Sequence, residues 1–130
     1  MCEGLGASLP LPRNEKEDTD LYAAVQSLGS LGRVALGATD IETEGIWVDS
    51  NGDSLTYFNW HTDGPIVEPN NQNGVQHFML YLPMYNGKWG DRNGKADVDV
   101  VCQKQELIGK WIPSLLHLFI NFKFFPNFES

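Results

Sequence analysis

Glu68-Pro69-Asn70, answered further along the chain by Trp89-Gly90-Asp91, is the stretch whose reading decides this sequence. A carboxylate and a side-chain amide flank a proline, and a second carboxylate follows a tryptophan. Proline fixes its own φ and takes the cis form at little cost. A cis bond here turns the two neighbouring side-chain oxygens toward one point. Calcium, a hard cation, is held by about six to eight oxygens at roughly 2.3–2.6 Å. A sugar with vicinal hydroxyls can complete such a shell. The tripeptide alone also suits an ordinary turn, so the residues around it must carry the argument.

It lies in a long polar stretch, residues 61–74, rich in asparagine and interrupted by Gly64 and Pro65. Compact domains keep so long a loop mostly for function. Strand-like segments bracket it: residues 55–60 before and 76–81 after. Asn86-Gly87 is a hairpin signal, and Lys88-Trp89 begins the return strand. Residues 97–102 alternate with period two. Further out, residues 33–38 form a short apolar run bounded by glycine, and 46–48 a second. Residues 49–53 make a turn around Asn51-Gly52. Its acids resemble an EF-hand loop, but flanking helices and a closing Glu are lacking. Asn14 is a helix N-cap, with Glu15, Glu17 and Asp18 in the first turn. Leu21, Val25 and Leu28 recur at helical spacing and Gly29 stops the run, so residues 14–28 read as an amphipathic helix. Leu9 and Leu11 enter the core on an extended piece. The sum is an α+β domain with much loop.

A chain of 130 residues suits one domain with one core. A net charge of −8 argues against nucleic-acid binding, which needs basic residues for phosphate. Cys2 and Cys102 are too far apart for a zinc knuckle. They read as one long-range disulfide from an oxidising compartment, or else as two reduced thiols. Met1-Cys2-Glu3 lacks the basic and apolar character of a leader. His61, His77 and His117 form no metalloprotease pair, and no nucleophile elbow or phosphate loop occurs, so no enzyme is expected. Trp47, Trp60 and Trp89 read as core or loop-base residues, and His77 as a strand residue beside the loop.

Together the pieces resemble a C-type lectin-like domain of the collectin, or mannose-binding protein, type. Cys2-x-x-Leu5-Gly6-Ala7 is similar to the family's first-helix segment, and Pro12-Arg13-Asn14-Glu15 to the start of its second helix. Leu36-Gly37-Ala38-Thr39-Asp40 with Thr43-Glu44-Gly45 resembles its core strand and following loop. Leu55-Thr56-Tyr57 with Asn59-Trp60 resembles the entry to its long loop. Glu68-Pro69-Asn70-Asn71 resembles its calcium and mannose motif, Trp89-Gly90-Asp91 its Trp-Asn-Asp, and Val100-Val101-Cys102 its closing strand.

The resemblance implies a calcium-dependent carbohydrate-binding module with mannose-type preference. Calcium and sugar would be held by Glu68, Asn70, Gln76 and Asp91, and Cys2 would pair with Cys102. It implies glycan or glycoprotein partners, an extracellular or secreted setting, and an oligomer for avidity. The departures predict weaker calcium binding, or none. Gln76 replaces a carboxylate and Gly90 offers no side chain; Asp63, Asn71 or Asn73 could compensate. A flanking calcium site would draw on Asp40 and Glu44, but its other members, Asn71, Gln76 and His77, suit calcium poorly. The second family disulfide is replaced by Phe78 and Gly94. The alternatives are a degenerate domain binding protein or other ligands without calcium, and a non-functional truncated product.

The expected domain is 2–102, incomplete at its N-terminus because the family's first strand would precede Cys2. The missing partner would leave an exposed edge at residues 98–101. Residues 103–130 form an atypical apolar extension. No run in it is long and clean enough for a transmembrane helix. Residues 115–125 suit an interfacial or packing helix, or a read-through sequence.

Overall fold

The structure, a computed structural model, describes residues 2–29, 32–108 and 114–124. Helix α1 runs over Glu15–Ser27, and the Asn14 side chain accepts from the Glu17 N–H as its N-cap. Leu21 and Val25 carry the buried stripe. Strand β1 is Val34–Thr39, β2 is Phe78–Leu82, β3 is Lys88–Arg92, β4 is Val98–Ile108 and β5 is Ser114–Phe124. They make one sheet in the order β3-β2-β1-β4-β5. All neighbouring pairs are antiparallel except β1 with β4.

The period-two alternation of strand side chains divides the core between the two faces of the sheet. Val34, Leu36 and Ala38 of β1, with Met79 and Tyr81 of β2, face α1, Trp47 and Trp89. Ala35, Leu80 and Leu82 face the other way, onto Val98, Val100 and the cysteines. Cys2 and Cys102 are bonded, with Cα atoms 5.5 Å apart, so the open alternative of two free thiols does not hold. Leu9 and Leu11 pack against the core as expected. Asn86 and Gly87 close the β2–β3 connection at φ 54° and 81°. A Cβ on Gly87 would lie 2.8 Å from the Tyr22 ring, so both φ and space require glycine there.

The structure differs from the sequence reading in three places. Residues 46–48 and 55–60 are not strands. They make single bridges, Val48 to Thr39 and Ser54, and Trp60 to Trp89. Their side chains pack against the core as loops, without a continuous ladder. Residues 114–124 are a strand, not a helix: β5 pairs with the whole of β4, from Val98 opposite Phe124 to Ile108 opposite Ser114. The edge expected to be exposed at 98–101 is therefore covered. An unpaired strand edge favours a strand partner, and Ile120-Asn121-Phe122-Lys123-Phe124 already alternates with period two. Trp111, Ile112 and Phe125 of the apolar extension lie outside the described residues.

Asp18 keeps its expected place but has a role beyond the helix dipole. It sits in the first turn of α1 yet is buried, 4% exposed. Its carboxylate accepts from Tyr57 Oη (2.9 Å), Asn59 Nδ2 (2.7 Å), Tyr81 Oη (2.5 Å) and Trp89 Nε1 (3.3 Å). The helix, the segment entering the long loop and the sheet thus meet on one carboxylate.

Candidate functional site

The long loop leaves and rejoins the core at β3. Asn59 O accepts from the Trp89 N–H at 2.8 Å, and Trp89 O accepts from the His61 N–H at 2.9 Å. Trp89 is fully buried beneath, with Tyr57 and Trp60 against it edge-on. The Glu68 N–H donates to His61 O at 2.7 Å and closes the neck of the loop. The Glu68–Pro69 peptide is cis. Asn71 and Asn73 then adopt positive φ, which asparagine tolerates better than most residues.

This path brings all the expected residues together. Glu68 and Asp91 are 2% and 1% exposed. Glu68 Oε2 accepts from the Asp91 N–H at 3.1 Å, and Oε1 from Asn70 Nδ2 at 3.1 Å. Asp91 accepts from the Asn70 N–H at 3.0 Å and the Asn71 N–H at 2.7 Å. The Gln72 N–H is shared by Asn70 Oδ1 and Gln76 Oε1, each at 3.0 Å. Two buried carboxylates and two amide oxygens therefore converge on one loop. A cavity of about 410 Å³ opens beside them, lined by Glu68, Asn70, Gln76, Tyr85, Arg92 and Lys95 among others. Tyr85 stacks on His61, ring centroids 3.5 Å apart, at its wall. A larger cleft, about 660 Å³ and lined by Leu9, Leu36 and Val48, touches none of the four residues.

Two features were not read from the sequence. The Arg92 guanidinium lies 3.3 Å from Glu68 Oε1 and is the cation on this carboxylate. Strand alternation offered a signal, since Arg92 shares a face of β3 with Gly90, and Glu68 lies on that face. Gly90 is also not a simple deletion. A Cβ there would lie 2.4 Å from Leu82 Cδ1 and 3.0 Å from Glu68 Oε2. Leu82 is fully buried, so a larger residue at 90 must displace either it or the carboxylate.

The electrostatics follow from burial. Desolvation pushes the Glu68 carboxyl above its ordinary range, the neighbouring Asp91 side chain adds to this, and Arg92 opposes it. Arg92 lies against Glu68, and Arg33 and Lys95 line the same cavity. The set of oxygens on Glu68, Asn70, Gln76 and Asp91 fits a hard cation: all candidate ligand atoms are oxygens, and the carboxylates are held by backbone N–H groups. Its shortfall is the missing fifth side chain at Gly90.

A second cluster lies beside the first. Asp40 is 2% exposed, and its Oδ1 is 3.0 Å from His77 Nδ1. Glu44 Oε2 is 3.4 Å from the same nitrogen. Partial desolvation and the adjacent Asp40 carboxylate push Glu44 up, against His77 and Asn71, which pull it down. The sequence reading gave this group little weight, yet the fold assembles it.

No protein-family model matches the chain. Similar sequences are tetranectin of Bos taurus, 34% identical over 103 residues, and tetranectin of Homo sapiens, 30% identical over the same length. Each match covers 78% of this chain. The chain spans about half the length of the curated relatives it matches, 50% of each. Among solved structures, a C-type lectin from Cucumaria echinata superposes with a TM-score of 0.57 at 18% identity, covering 67% of this chain and 60% of that one. The mouse scavenger receptor C-type lectin carbohydrate-recognition domain gives 0.55 at 22% identity, covering 69% and 65%.

Proposed function

This chain carries a C-type lectin-like domain, and on that premise we propose that it is a calcium-dependent carbohydrate-binding module with mannose-type preference. Glu68, Asn70, Gln76 and Asp91 hold the ion and the sugar. The observation that carries this reading is the pair of buried carboxylates, Glu68 and Asp91, gathered with the side-chain amides of Asn70 and Gln76, three of these four residues lining one cavity. Both carboxyls accept backbone N–H groups, and with the two amide oxygens they make an all-oxygen set of the kind a hard cation takes.

When bound, calcium offers coordination positions to two vicinal sugar hydroxyls. The chain's own residues do the rest. Glu68 accepts a hydrogen bond from one hydroxyl, while Asn70 Nδ2 donates to the other. The backbone N–H groups of Asn70, Asn71 and Asp91 hold the carboxylates in place. These groups would hold and orient the sugar with no bond made or broken, so the proposed role is binding. Single-site affinity is weak, and useful avidity comes from several copies on glycan or glycoprotein partners. The Cys2–Cys102 disulfide supports an extracellular setting. No helix among the described residues is long and apolar enough to cross a membrane.

One observation favours a second reading, a calcium-independent domain with other ligands. Arg92 already sits on Glu68. Retention on immobilised mannose separates the two. The proposal expects retention in calcium, release by chelator and loss with Glu68→Gln. Retention indifferent to calcium supports the second reading, and absence of retention by folded protein removes mannose from the account.

A further inference from the structure

We propose that the cavity beside Glu68 takes an acidic sugar, whose carboxylate or sulfate is received by Arg33, Arg92 and Lys95 on its wall. This deepens the sugar-binding reading above and rests on it. The chain as a whole is acidic, with nine Lys and Arg against seventeen Asp and Glu. The cavity reverses that balance. Three of the nine cations line it, and among the described lining residues Glu68 is the one acid. The three cations come from separate parts of the fold. Arg33 directly precedes β1, Arg92 ends β3, and Lys95 lies on the turn before β4. The Arg33 carbonyl accepts from the Asp99 N–H at 2.6 Å, and the Lys95 N–H donates to Asn93 Oδ1 at 2.9 Å, so both side chains start from held backbone.

The ordinary alternative is that these cations neutralise Glu68, but that takes only one of them. Arg92 Nη1 lies 3.3 Å from Glu68 Oε1 and donates to Asp91 O at 2.5 Å, so Nη2 and Nε remain as donors. Among the described residues no carboxylate forms an ion pair with Arg33 or Lys95. A calcium ion on Glu68 and Asp91 would add two positive charges and leave the cations of the wall without a countercharge. A guanidinium fork matches the oxygens of a carboxylate or a tetrahedral oxyanion in pairs, and an ammonium adds a point charge. The rest of the lining suits hydroxyls, because the side-chain amides of Asn70, Gln76 and Asn93 both donate and accept. The volume, about 410 Å³, falls within the range of small-molecule sites, about 300–1,000 Å³. Cations and amides on one wall therefore select a hydroxylated ring that carries an acid group.

The test is an NMR titration of the oxidised, full-length protein in calcium with methyl mannoside, its 6-sulfate and the matching mannuronate. The two acidic sugars separate sulfate from carboxylate, and inorganic sulfate is the control for a bare anion. At least one acidic sugar binds about fivefold tighter than the neutral one at low salt, and high salt shrinks the advantage. Lys95→Glu, at an exposed position, lowers the ratio of acidic to neutral affinity by at least about threefold. Arg33→Gln lowers it too, and Lys95→Glu decides should Arg33→Gln fail to fold. The ratio is the readout because a merely structural change moves both affinities together. The inference alone is overturned if folded wild type binds the neutral mannoside and neither acidic one more tightly, if Lys95→Glu leaves the ratio unchanged, or if inorganic sulfate binds as tightly as the sulfated sugar. Binding of an acidic sugar without the neutral one upholds it and removes the mannose preference. Absence of binding by all three sugars overturns both.

Discussion

Replacing Arg92 by alanine separates the two readings of the loop site within one experiment. Arg92 lies 3.3 Å from Glu68 Oε1, its side chain 18% exposed against 1% for the carboxylate. A hydrogen bond to a charged group contributes about 1.5–3 kcal/mol. Glu68 keeps the Asp91 N–H and Asn70 Nδ2 as donors after the change, so the loss falls at the low end, about 1.5 kcal/mol. Without calcium, Arg92→Ala should be less stable by that amount in urea unfolding. A calcium ion at Glu68 must displace this guanidinium or bind beside it. The same interaction therefore opposes calcium, and its removal should tighten calcium roughly tenfold, the equivalent of about 1.4 kcal/mol. The expected signature is a variant weaker than wild type in chelator and recovered in calcium. Unchanged or weaker calcium binding by folded Arg92→Ala would refute the idea that Arg92 holds the cation's place.

Acidification should weaken calcium binding starting above pH 4.5, the ordinary Glu value, because burial raises Glu68 and calcium needs the ionised form. In the calcium-free protein the sign reverses: a raised folded carboxyl binds its proton more tightly than the unfolded one, so this group adds stability as pH falls through its folded value. Titrations at several pH values, with and without calcium, check both halves. Asp18→Ala strands donors from Tyr57, Asn59, Tyr81 and Trp89 and should cost about 3–5 kcal/mol in chemical denaturation; a loss under about 1 kcal/mol would contradict the hub. Gly90→Ala should cost about 1–3 kcal/mol by overpacking Leu82 and Glu68, and Gly90→Asn should not improve calcium binding. Equal stability of Gly90→Ala would show that the space is there.

The grouping of the proposed site residues was legible because the residue types are local. Glu68, Asn70 and Asp91 announce themselves by residue type beside a proline and a tryptophan, and the structure brings them together with Gln76. Helix α1 was legible because its cap and its Leu21–Val25 stripe lie in one short segment. What stayed hidden depends on long-range placement. Asp18 looked like a helix-dipole acid, and only the packing of Tyr57 and Tyr81 against α1 makes it a buried hub. Arg92 follows Asp91 directly, yet its role depends on how Glu68 meets β3. The strand at 114–124 was not legible because only residues 120–124 alternate, while the nearly continuous apolar run before them suits either element; the open edge of β4 decides between them.

The most direct measurement is calcium titration by calorimetry on the oxidised protein, with and without mannose. The account predicts a site of about 1 mM or tighter, in the range of extracellular calcium modules, strengthened by mannose and abolished by Glu68→Gln. Absence of binding heat from a demonstrably folded sample, with or without the sugar, would contradict it.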